Sequence, residues 1–74
     1  MSITVGDLKI IASNGGGMVI DAKAFSPGDL KIIASNARDK RAMILLRNAS
    51  CLSADDLKII ASNAKGAVIF DFVS

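Results

Sequence analysis

The octapeptide DLKIIASN stands three times in this chain without a change, at Asp7–Asn14, Asp29–Asn36 and Asp56–Asn63. A period of roughly 20–30 residues belongs to stacked units, in which each unit buries its apolar face against its neighbours. Packing alone does not demand identity, because cores tolerate hydrophobic swaps of similar volume. Recent duplication, deliberate design or a repeated contact surface would each account for it. Leu8, Ile11 and Ala12 recur at i, i+3 and i+4, the spacing of a helix with one apolar face. Ile10 widens that stripe and leaves Lys9 and Ser13 for the opposite side.

Working outward, each octamer is preceded by the same kind of start signal. Ile3-Thr4, Phe25-Ser26 and Leu52-Ser53 are each followed by two residues and then the aspartate. Thr4, Ser26 and Ser53 are N-caps, and Asp7, Asp29 and Asp56 fall at the third helical position, where a carboxylate reaches back to the cap and favours the positive helix end. Ile3, Phe25 and Leu52 would staple onto Leu8, Leu30 and Leu57. Pro27 falls at the first helical position, where its missing N–H costs nothing. Asn14, Asn36 and Asn63 are expected to close the helices, the first with the help of Gly15-Gly16-Gly17.

After each turn comes a run rich in β-branched and large apolar residues: Met18 to Phe25, Ala42 to Leu52 and Ala67 to Val73. The chain reads helix, strand, helix, strand, helix, strand, with a stub strand at Ser2 to Thr4. Alternation of this kind predicts an α/β fold with short parallel strands and right-handed crossovers. The short connections favour a three-unit βα repeat whose helices pack mainly on one face. One domain over 1–74 is expected, with units at 1–17, 18–41 and 42–66 and a last strand at 67–73.

The stretch ILLRNASCLSADDLKIIASNAKGAVIF resembles a leucine-rich repeat of the βα variety. The resemblance covers two of the three units. It implies strand leucine positions at Ile44 and Leu46, a buried polar position at Asn48 or Cys51, and a helical half from Leu52 to Ile60. The first unit has neither Asn nor Cys after its strand, and no unit carries the full L-x-x-L-x-L-x-x-N/C-x-L pattern. The likeness is one of architecture and implies no activity.

Composition narrows the function classes. Among 74 residues, 51% are hydrophobic and 22% charged, which excludes intrinsic disorder. All seven acids are aspartate, and Glu, Gln, His, Trp and Tyr do not occur. Histidine acid–base chemistry and histidine metal sites are therefore out of reach, as are the tyrosine and tryptophan hot spots of many interfaces. A net charge of +2 does not by itself imply nucleic acid. The single cysteine, Cys51, excludes an internal disulfide and fits a reducing compartment. The first residues lack a signal-peptide pattern, and no apolar run approaches the ~20 residues of a membrane span. A cytoplasmic chain with no membrane partner, no cofactor and no metal is expected.

The strand faces carry the functional expectation. Alignment on the midway charge makes Asp21, Arg47 and Asp71 equivalent. Alternation then sends Met18, Ile20, Ala22, Ile44, Leu46, Val68, Phe70 and Phe72 towards the helices. The opposite face shows an apolar row of Val19, Leu45 and Ile69 and a charged row with Arg47 between two aspartates. A parallel sheet is rarely left uncovered, so a partner or a second copy is expected there, unless the register is shifted by one or a helix crosses over. The last strand adds Phe70 and Phe72 beside an edge able to pair with another chain.

Other candidates weigh less. Arg38, Lys40 and Arg41, with a stripe of Lys9, Lys31 and Lys58, outline a nucleic-acid alternative. The basic loop contains Asp39 and has no aromatic residue nearby for stacking. The plain reading of the lysines is a solubilising face, each near an aspartate of a neighbouring unit. Gly15–Gly17 follows a helix, whereas phosphate loops precede one. Cys51 has no histidine to activate it and is expected to be a semi-buried structural residue. Asp55 and Asp56 point in different directions and suit the helix dipole. No catalytic constellation stands out, and an enzyme is not expected.

Overall fold

In a computed structural model, described over residues 3–73, the three octamers fall in three helices: α1 Val5–Ser13, α2 Pro27–Ala37 and α3 Ala54–Ala64. The hydroxyls of Thr4, Ser26 and Ser53 accept hydrogen bonds from the backbone N–H groups of Asp7, Asp29 and Asp56 at 3.2, 3.2 and 3.1 Å. The reciprocal bond closes in α1, where the Thr4 N–H donates to Asp7 Oδ2 at 3.2 Å. Pro27 opens α2 as expected. The staple residues divide: Leu52 is buried and Phe25 packs against the core, while Ile3 is half exposed.

The helix ends differ from the expectation. Asn14 follows α1 but is not left-handed, and Asn36 and Asn63 lie inside α2 and α3. The helices run on because Ala37 and Ala64 continue the apolar stripe into the core. Asn36 Nδ2 then donates back to the Ile32 carbonyl at 2.8 Å. The left-handed residues of these turns are Gly15, Arg41, Lys65 and Gly66. After α1 the Gly15 N–H donates to the Ala12 carbonyl at 3.0 Å and the Gly16 N–H to the Ile11 carbonyl at 2.9 Å, which satisfies the open helix end. A Cβ on Gly16 would lie 2.6 Å from Ile11 Cγ2, so that close approach requires glycine.

The strands are β1 Met18–Asp21, β2 Ile44–Arg47 and β3 Val68–Phe70, in one parallel sheet of order β1-β2-β3. They are shorter than expected, since two turns cut them off. The Asp21 carboxylate accepts from the Lys23 N–H at 2.9 Å and folds Ala22–Ala24 into a 3-10 turn. Asn48 adopts a left-handed conformation ahead of a second 3-10 turn at Ala49–Cys51. No strand forms at Ile3–Thr4, and Ser2 of the expected stub lies outside the described residues.

The helices lie side by side with α2 in the middle, and the three of them pack against the sheet as a small α/β fold. Ile20, Ile44 and Leu46 from the strands meet Leu30, Ile33 and Ile60 from the helices in the core. Among the described residues no polar or charged side chain is buried, so all polar chemistry lies at the surface. Ile10 does not join the core: it is exposed together with its equivalents Ile32 and Ile59. In α2 the buried Leu30 and Ile33 define the inward direction, and a residue one step before Ile33 is rotated about 100° from it.

Candidate functional site on the open sheet face

Parallel pairing sets the register Val19–Leu45–Ile69 and Asp21–Arg47 across the strands, the rows expected from alternation. Ile20, Ile44 and Leu46 occupy the intervening positions and are buried on the helix side. Val19 and Ile69 are therefore on the other face, 68% and 48% exposed, with Leu45 half-buried between them. Sequence reasoning did not place Met43. It lies two residues ahead of Leu45 and is also exposed, so the alternation that placed Leu45 could have found it.

Asp21, Arg47 and Asp71 stand at the ends of the strands, but each aspartate also has a local task. Asp21 Oδ1 accepts from the Lys23 N–H and from Asn48 Nδ2, both at 2.9 Å. The Lys23 N–H above all, then Asn48, hold its carboxyl below the usual aspartate range, with Lys23 and Arg47 adding positive charge nearby. Asp71 Oδ1 accepts from the Val73 N–H at 2.9 Å, and Asp71 Oδ2 lies 3.8 Å from Arg47 Nε. Arg47 thus leans towards Asp71, while Asp21 is tied to the turn that follows β1. The two rows together form an apolar strip edged by a row of engaged charges.

Phe70 and Phe72 do not share this face. Phe70 is half-buried on the helix side and packs against the core. Phe72, expected on that side too, lies beyond the end of β3 and is exposed. The two rings keep contact, their centroids 6.0 Å apart. β3 pairs with β2 alone among the described residues, which leaves its outer edge open.

The remaining candidates are scattered. Arg38, Lys40 and Arg41 are exposed in the connection from α2 to β2, with Arg38 Nε 3.4 Å from Asp39 Oδ1. Lys58 is exposed, and Lys9 and Lys31 are half-buried. Lys31 Nζ lies 3.0 Å from Asp56 Oδ1 of the next helix. That lysine and the Ser53 hydroxyl hold the Asp56 carboxyl below the usual range. Cys51 is exposed, against the expectation of a semi-buried residue, since Ala49 and Leu52 take the buried positions around that turn. Asn48, the other polar position of the leucine-rich-repeat reading, is half-buried. Among the described residues no three groups of metal-ligating type lie together, and no helix is long and apolar enough to cross a membrane. Comparison with protein-family models, with curated proteins and with solved structures gives no match for this chain.

Proposed function

We propose that this chain is a non-catalytic interaction module that associates with itself or another protein through the open face of its sheet and the edge of β3. The observation that carries the reading is the row Val19, Leu45 and Ile69: large apolar side chains on the uncovered face of a parallel sheet. Parallel sheets are normally covered on both faces. A domain of 74 residues gains little from its own core, so apolar surface left in water is costly to it. A specific contact needs about 1,000 Å² of total buried surface or more, so the open face and the edge of β3 would have to be covered together.

The test is the solution mass of the chain and of Ile69→Lys. The parent is expected to exceed its 7.7 kDa monomer mass at micromolar concentration. Ile69→Lys is expected to stay folded by circular dichroism and to lose the association that runs through the sheet face. A parent that is a folded monomer under these conditions, and needs no partner, overturns the reading.

A further inference from the structure

The second surface that lacks a neighbour is formed by the two ends of the helix layer, and here the interior of the molecule shows what fits. The side of α3 that faces α2 carries Asp56, Ile60 and Asn63: Asp56 bonds Lys31, Ile60 is fully buried, and Asn63 Nδ2 lies 3.4 Å from the Lys31 carbonyl oxygen. Because the octamers are identical, α1 carries Asp7, Ile11 and Asn14 at the same positions. Among the described residues no helix lies beyond α1 on that side, and Ile11 is 39% exposed where Ile33 and Ile60 are 1% and 0% exposed. The other side repeats the pattern in reverse. Leu30 and Ala34 of α2 are buried beneath α3, whereas their equivalents Leu57 and Ala61 in α3 are only half-buried. Val68 and Phe70 beside them are half-buried too, while Ile44 and Leu46 in the middle strand are buried.

We propose that two copies of this chain stack head to tail, α1 of one copy occupying the place beside α3 that α3 itself occupies beside α2. The proposal rests on the self-association put forward above and names a different surface for it. Ile11 of one copy would cover Leu57 and Ala61 of the other. Lys58 would pair with Asp7 as Lys31 pairs with Asp56, and β1 would extend the open edge of β3 as a parallel strand. The complementarity of apolar patch, charge and strand edge is supplied by the chain's own interior contact, repeated with the same residues. A contact of this kind joins two different surfaces, so it adds copies in a row unless the rotation closes a ring.

The experiment uses two variants that each block one end. Ile11→Lys places a cation against Lys58 of the neighbouring copy, and Leu57→Asp places an anion against Asp7. Sedimentation equilibrium at micromolar concentration is expected to give a mass that rises with concentration past two copies for the parent. Made in the Ile69→Lys background, which removes the sheet-face contact, each variant alone is expected to remain near one copy. Their equimolar mixture is expected to reach twice the single-copy mass and stop, because one open end of each kind remains. Should Leu57→Asp fail to fold by circular dichroism, Lys58→Asp takes its place, since Lys58 is exposed. Association of both variants alone, or a mixture that stays at one copy, overturns the stacking. An associating parent combined with either result leaves the sheet-face reading standing, whereas a monomeric parent removes both.

Discussion

Three copies of one octamer meet three different surroundings. In α2 the leucine, the second isoleucine and the first alanine of the octamer, Leu30, Ile33 and Ala34, are all buried. In α1 the isoleucine is partly exposed, and in α3 the leucine and alanine are. The sequence of the helix is constant, so the difference comes entirely from whether a neighbour lies on each side. Burial in a stacked array belongs to the contact between units as much as to the unit itself. The residues that stabilise the middle are the same residues that remain unsatisfied at the ends.

The largest effect follows from that contrast. Ile33→Ala and Ile60→Ala remove fully buried side chains and are expected to cost about 2–5 kcal/mol each, a large part of the total stability of a small domain. Ile11→Ala, in the same position of the first octamer, is expected to cost about 1 kcal/mol or less. Urea midpoints of the three variants compare the positions directly. Equal losses at all three would mean that α1 is as well covered as α2.

Next in size are the caps, which are alike in all three units. Ser26→Ala and Ser53→Ala each remove a hydroxyl that accepts from the third helical N–H, at a cost of about 1 kcal/mol. In a domain of this size that lowers the thermal midpoint by roughly 4–8 °C. An unchanged midpoint for Ser53→Ala would show that α3 does not depend on its cap.

A smaller effect separates the interior contact by its charge. Lys31 and Ser53 lower the Asp56 pKa in the folded chain. A carboxylate whose folded pKa is depressed contributes stability that is full above its unfolded pKa and is lost as pH falls through the lowered value. The stability difference between the parent and Asp56→Asn should therefore shrink on acidification across that window. A difference independent of pH would mean that the Lys31–Asp56 contact does not form in solution. The smallest effect is expected at the basic loop, where neutralising Arg38, Lys40 and Arg41 together should leave fold and assembly unchanged. Tight nucleic-acid binding by the parent that collapses in this triple variant would favour the alternative use of that loop.

Much of this fold could be read from local signals. The three helix starts were legible because a hydroxyl, an aspartate and a preceding apolar residue act over a few residues of chain. The rows Val19–Leu45–Ile69 and Asp21–Arg47 were legible because alternation needs only a common reference point, and the midway charges provided it. The strand ends were not legible. Asp21 turns the chain by accepting from Lys23, and Asn48 by adopting a left-handed conformation, inside runs whose composition favours strand. Phe72 keeps its contact with Phe70 but lies past the end of β3, where alternation does not tell how deeply a side chain is buried. The exposure of Ile11 against the burial of Ile33 and Ile60 depends on which helix sits beside which. No single octamer contains that information.

The central claim is that the uncovered apolar surface of this chain is an association surface. Sedimentation of the parent chain over a range of micromolar concentrations tests it most directly. A mass above 7.7 kDa that rises with concentration is the expected result. A folded species that holds 7.7 kDa across the whole range, with no partner added, would contradict it.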